Sequence, residues 1–166
     1  MNVFQETIID FLQNTKFQEE IFCLIGEDLD EERALVSSFD YRSYAKCQNE
    51  YEACMMSMRA AKVLSEICST VRKIEVEWEI NAVSNDRDIE IYYEPVVDTD
   101  TPAEYYFAVT ERGEKHSIWS HAFSIQPCGD FVRVEEYKGG KAVLVRDVSE
   151  KEALRLFEDY LSLAIA

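Results

Sequence analysis

Two runs decide how this sequence folds: Lys73-Ile74-Glu75-Val76-Glu77-Trp78-Glu79-Ile80 and, after a polar gap, Ile89-Glu90-Ile91-Tyr92-Tyr93-Glu94. Both alternate with a period of two, the mark of a half-buried β-strand. In the first, Ile74, Val76, Trp78 and Ile80 share one face and Glu75, Glu77 and Glu79 the other. In the second, Ile89, Ile91 and Tyr93 oppose Glu90, Tyr92 and Glu94. Paired as a hairpin, the runs set five carboxylates on the outer face of one ribbon. Like charges facing each other across strands cost stability, and Glu is depleted in strands. The face therefore calls for a reason, either plain solvation or something positive to bind.

Upstream, residues 43 to 72 or so predict one long helix. Cys47, Tyr51, Cys54, Met58 and Ala61 step by four and three, and Leu64, Ile67, Cys68 and Val71 continue the stripe with a drift. At 1.5 Å per residue the rod would span roughly 45 Å, more than one small sheet needs. Either it packs along the sheet as the central core element, or part of its stripe, with Met55 and Met58, pairs with another subunit. Phe4, Ile8, Phe11 and Leu12 place a first helix over Asn2 to Asn14. Phe17 to Ile25 predicts a second short helix or turn, capped by Gly26. The acids Asp28, Asp30 and Glu32 have calcium-loop spacing, but Arg33 and Phe39 stand where such a loop needs Gly and Glu. They are read instead as acids at the start of the next helix, favoured by its dipole.

Downstream, Pro95 to Pro102 reads as a loop, Ala103 to Thr110 and Lys115 to Ile125 as strands, and Arg112-Gly113-Glu114 as the turn between them. Phe131 to Val148 forms a hairpin about Lys138-Gly139-Gly140-Lys141, since Gly-Gly suits the left-handed turn that strand twist prefers. Val132, Val134, Val143 and Val145 are expected on its buried face. Ser149 and Glu152 form a capping box for a last helix with Ala153, Leu154, Phe157, Tyr160, Leu161 and Ala164 inward. Helices, about six antiparallel strands, then a helix: this is an α+β order in a single domain over 1–166. Residues 1–72 form its helical part, 73–148 its sheet and 149–166 its closing helix.

The chain's 166 residues are enough to bury a core, and a 47 % hydrophobic content marks a folding sequence. A net charge of −16 repels nucleic acid and anionic membrane and favours basic surfaces. No signal peptide, no run long enough to span a membrane and no paired cysteine spacing predict a cytoplasmic protein with reduced thiols. Cys47, Cys54 and Cys68 are expected in the core, with Cys128 exposed in its Pro-Cys-Gly turn. His116 and His121 are five apart on one strand, so they point to opposite faces. Serine-hydrolase, phosphate-loop and dinucleotide signatures are absent, and basic residues do not cluster with aromatics.

The acidic hairpin face survives this elimination. It predicts a non-enzymatic protein-binding module, an inhibitor or immunity-type protein whose carboxylates mimic nucleic-acid phosphates on a partner's basic surface. Glu75, Glu77, Glu79, Glu90, Tyr92 and Glu94 are the expected contacts. No catalytic residue, metal, cofactor, direct nucleic-acid contact or membrane contact is expected, and the chain would be a monomer or homodimer. Two other readings stay open. One is a cytoplasmic chaperone or adaptor that dimerises through the long helix and holds an unfolded client. The other is an enzyme using His116 or His121 in an unrecognised pocket.

Overall fold

A computed structural model describes residues 3–26, 33–73, 75–96, 100, 102–111 and 121–164. In chain order these form α1 (Val3–Asn14), β1 (Glu20–Ile25), β2 (Ala34–Asp40), a 3₁₀ helix (Tyr41–Lys46), α2 (Glu50–Lys73), β3 (Trp78–Ser84) and β4 (Arg87–Glu94). Then follow β5 (Glu104–Glu111), β6 (His121–Pro127), β7 (Val132–Lys138), β8 (Lys141–Val148) and α3 (Glu150–Ala164). The acidic run 27–32, Ile74 and the stretch holding the 112–114 turn, His116 and Trp119 lie outside the described residues.

The fold is α+β, with all strands in one antiparallel sheet ordered β2-β1-β3-β4-β5-β6-β7-β8. From β3 to β8 every strand pairs with the next. The one exception to nearest-neighbour order is β1, which pairs with β2 on one side and with β3, after α2, on the other. A two-residue turn, Asn85-Asp86, closes the β3–β4 hairpin with φ of 52° and 59°, the left-handed geometry that short Asn and Asp side chains tolerate. Gly139 and Gly140, at 55° and 74°, do the same between β7 and β8.

One sheet face carries the core. Cys23, Ile80, Ile91, Phe107 and Phe123 lie in register across β1, β3, β4, β5 and β6, each 1 % exposed or less. All three helices pack on this side. α1 touches both α2 and α3, α2 lies against β2, and α3 lies against β6 and β7. Phe11 meets Phe107 edge-on at 6.1 Å, and Phe123 stacks on Phe157 and Tyr160 at 6.1 and 4.8 Å. Burial of each such side chain stabilises by about 1.5–3 kcal/mol. Ser149 caps α3 by accepting the Glu152 N–H at 3.2 Å, while the Glu152 carboxylate turns to Arg155 at 2.9 Å.

Among the described residues the sheet has eight strands where the sequence predicts about six, because two precede α2. The apolar spacing over Phe17–Ile25 predicts a short helix or turn, yet Glu20–Ile25 is an interior strand. A short apolar run carries either period, and its neighbours β2 and β3 decide for the strand. The acids at 27–32 thus precede the strand β2, not a helix. α2 begins at Glu50, with Tyr41–Lys46 a separate 3₁₀ helix. Asn49 Oδ1 caps α2 by accepting the Glu52 N–H at 2.9 Å.

The apolar stripe read along this helix also divides. Ala60, Ile67, Cys68 and Val71 are buried, whereas Tyr51, Cys54 and Met58 are exposed. At about 100° per residue the drift carries the stripe from the solvent side to the core side within α2. Cys54 is therefore exposed and Cys47 and Cys128 half-buried, against expectation, while Cys23 and Cys68 are buried. Burial pushes the Cys23 thiol up to about 12 and raises Cys68 as well.

In β8, Val143 and Val145 are 53 % and 56 % exposed, not buried with Val132 and Val134. An irregularity between Glu136 and Tyr137 advances β8 by one residue, which exchanges its faces. Among the described residues no helix is long and apolar enough to cross a membrane.

Candidate functional site

The sheet face opposite the helices is where the expected contact residues fall. Register lays them out in rows. Glu79, Tyr92, Tyr106, Ser124, Glu135 and Val145 form one row across β3 to β8. Beside it run Asn81, Glu90, Ala108, Ala122 and Tyr137. On the other flank, Glu94 stands opposite Glu104. Ala108, Ala122 and Ser124 are at most 1 % exposed. They give this face a floor of small side chains, bordered by half-buried tyrosines and glutamates.

The structure brings together Glu77, Glu79, Glu90, Tyr92 and Glu94, and separates Glu75. β3 starts only at Trp78, so Glu75 lies before the ladder, exposed, and its charge acts on Tyr93 of the core side. Glu77 also precedes β3. It is 5 % exposed, with its carbonyl accepting the Gly26 N–H at 2.9 Å. Arg33, next to β2, donates to Glu77 Oε1 at 2.6 Å, pairs with Glu79, and stands 5.9 Å from the Tyr92 ring centroid. Asn81 Nδ2 donates to Glu79 at 2.8 Å.

The Tyr92 hydroxyl is within hydrogen-bonding reach of both Glu77 and Glu94. With one proton, it can donate to one at a time. The hairpin face is therefore not plainly solvated: apart from Glu75 its acids form a packed polar cluster.

Four further members lie beyond the hairpin. Glu104 accepts from Ser124 Oγ and from Gln126 Nε2 at 3.4 Å, and Tyr137 donates to Glu135. Tyr106 completes the set. Their period-two spacing (Glu104, Tyr106; Glu135, Tyr137) was visible in the sequence. What could not be read there was that these strands turn the same side outward as β4.

The electrostatics are those of carboxylates packed together and partly dry. Burial raises Glu90, with Arg33 pulling the other way. Burial, then Glu104 and Glu77, raises Glu94. Tyr92 and Tyr106 are raised, first by burial and then by the surrounding glutamates. Tyr137 is pushed up to about 12, first by its hydrogen bond to Glu135. Perturbed groups gathered on one surface mark a functional site more often than chance.

His121 is exposed at the start of β6. A cleft of about 720 Å³ beside the end of α1 is lined by Asn14, Lys16, Tyr41, Tyr44 and Ser57 among others, with no carboxylate, histidine or cysteine among the described residues that line it. Among the described residues no three His, Cys, Asp or Glu side chains gather as a metal site. Comparison with protein-family models, curated proteins and solved structures found no match.

Proposed function

We propose that this chain is a non-enzymatic, acidic protein-binding module. It occupies a basic surface of a partner protein, as an inhibitor or immunity-type protein does over a nucleic-acid-binding groove. One observation carries the reading. Glu77, Glu79, Glu90, Glu94, Glu104 and Glu135 surround Tyr92, Tyr106 and Tyr137 on one sheet face, with Arg33 meeting them at one corner.

Arginine and lysine of a partner supply the missing positive charge. Half-buried carboxylates attract such cations more strongly than fully hydrated ones. Tyrosines add flat, rigid contact area with a polar tip, the chemistry of interface anchors. The chain's net charge of −16 speeds encounter from a distance.

The test is capture from lysate on immobilised chain, at low and then high salt. Basic proteins should be retained at low salt and released at high salt. The variant with Glu79, Glu90, Glu94 and Glu135 changed to Gln should retain them at least about tenfold less well. Equal retention by both proteins would sink the proposal.

A further inference from the structure

The first half of α2 carries an apolar stripe that the fold leaves uncovered. Tyr51, Met55 and Met58 are 74 %, 42 % and 62 % exposed, and Lys62 is exposed beside them. These positions step by four, three and four, the spacing of a coiled-coil seam. At about 100° per residue they lie on the side of the helix opposite Ala60, Ile67 and Val71, which face the core. The core therefore accounts for one face of α2 and does nothing for the other.

Charge identifies the occupant. Glu50 and Glu52 begin the stripe and Arg59 and Lys62 end it. A parallel copy would set acid against acid in a chain that already carries −16. An antiparallel copy sets each acidic end against the other's basic end and opposes the two helix dipoles. In that register Met55 meets Met58 of the second copy, and Tyr51 meets the Lys62 side chain. Glu52 and Arg59, both one position past a seam residue, pair across the interface on the same flank. The arrangement is isologous and closes on two copies. A groove of about 450 Å³ along this flank, between α2 and the 3₁₀ helix, gives the incoming side chains room.

We infer that this surface binds a second copy of the chain, α2 against α2, antiparallel about a two-fold axis between Met56 and Ser57. It holds independently of the acidic sheet face, which lies on the other side of the sheet from the helices. A half-helix seam is smaller than a standard interface of about 800 Å² per partner, so the dimer is weak, with a dissociation constant in the micromolar range.

Sedimentation equilibrium over a concentration series tests it. The expected result is a monomer–dimer equilibrium that Met55→Glu/Met58→Glu abolishes, with circular dichroism unchanged, and the melting temperature unchanged at concentrations where both proteins are monomers, because both side chains are exposed. Arg59→Glu weakens the dimer, and adding Glu52→Arg recovers part of the loss. In a Cys54→Ser background, copies with Met55→Cys crosslink to copies with Met58→Cys on oxidation, and neither crosslinks to itself. Three results would overturn the inference: a monomer throughout, a dimer indifferent to Met55→Glu/Met58→Glu, or self-crosslinking by Met55→Cys alone.

Discussion

Glu90 keeps its charge on this sheet at a cost in stability. Burial raises its pKa above the ordinary 4.5. A raised acid pKa in the folded state means that the native protein holds the proton more tightly than the unfolded chain. Its contribution is neutral below the unfolded pKa and becomes destabilising as pH rises through the folded value. Glu90→Gln should therefore raise the unfolding free energy at pH 7, and the gain should fade as pH drops toward 4.5. Denaturant titrations of both proteins at several pH values measure this, and a gain that does not vary with pH would contradict it. Arg33 has the opposite role. Removing it leaves the Glu77 carboxylate, whose side chain is 6 % exposed, with only the Tyr92 hydroxyl in reach, so Arg33→Ala should cost about 1–3 kcal/mol. The double variant with Glu77→Gln should cost less, since no buried charge is then left alone. The alternation at 75–94 made the acids legible. Their partner was not legible, because Arg33 lies 44 positions from Glu77 and only strand order brings the two together.

What was read correctly among the elements rests on local signals. The β3–β4 ribbon has its period of two, the β7–β8 hairpin its Gly-Gly turn, and α3 its Ser149 cap. The misreadings arose where tertiary context chose between two local options. Glu20–Ile25 could serve as helix or strand, and a place between β2 and β3 made it a strand. The drift of the α2 stripe is visible in the sequence, but no local signal says which end of it the core covers; the core takes Ala60, Ile67, Cys68 and Val71 and leaves Tyr51 and Met58 to solvent. The irregularity at Glu136/Tyr137 left no mark in the sequence and put Val145 opposite Glu135 on the acidic side. That register makes a measurable contrast. Val134→Thr buries a hydroxyl and should cost about 1–3 kcal/mol, while Val145→Thr should change stability by less than about 0.5 kcal/mol. Urea unfolding of the two variants decides it, and equal losses would place both valines in the core.

Taken whole, the molecule separates its tasks by side. Helices cover one face of the sheet and bury the aromatic core, and the other face gathers carboxylates and tyrosines. Burial of Glu90 on that second face detracts from stability. Stability given up at a surface is a usual accompaniment of function. On the proposed function, this face, and not the overall charge of −16, selects the partner. Two variants lose the same four negative charges and can be compared directly for capture of basic proteins from lysate at low salt. One carries Gln at Glu79, Glu90, Glu94 and Glu135. The other is neutralised at Asp10, Glu150, Glu158 and Asp159, all exposed on α1 and α3. The first variant should lose the partner and the second keep it; equal retention by the two would mean that bulk charge, not this face, makes the choice.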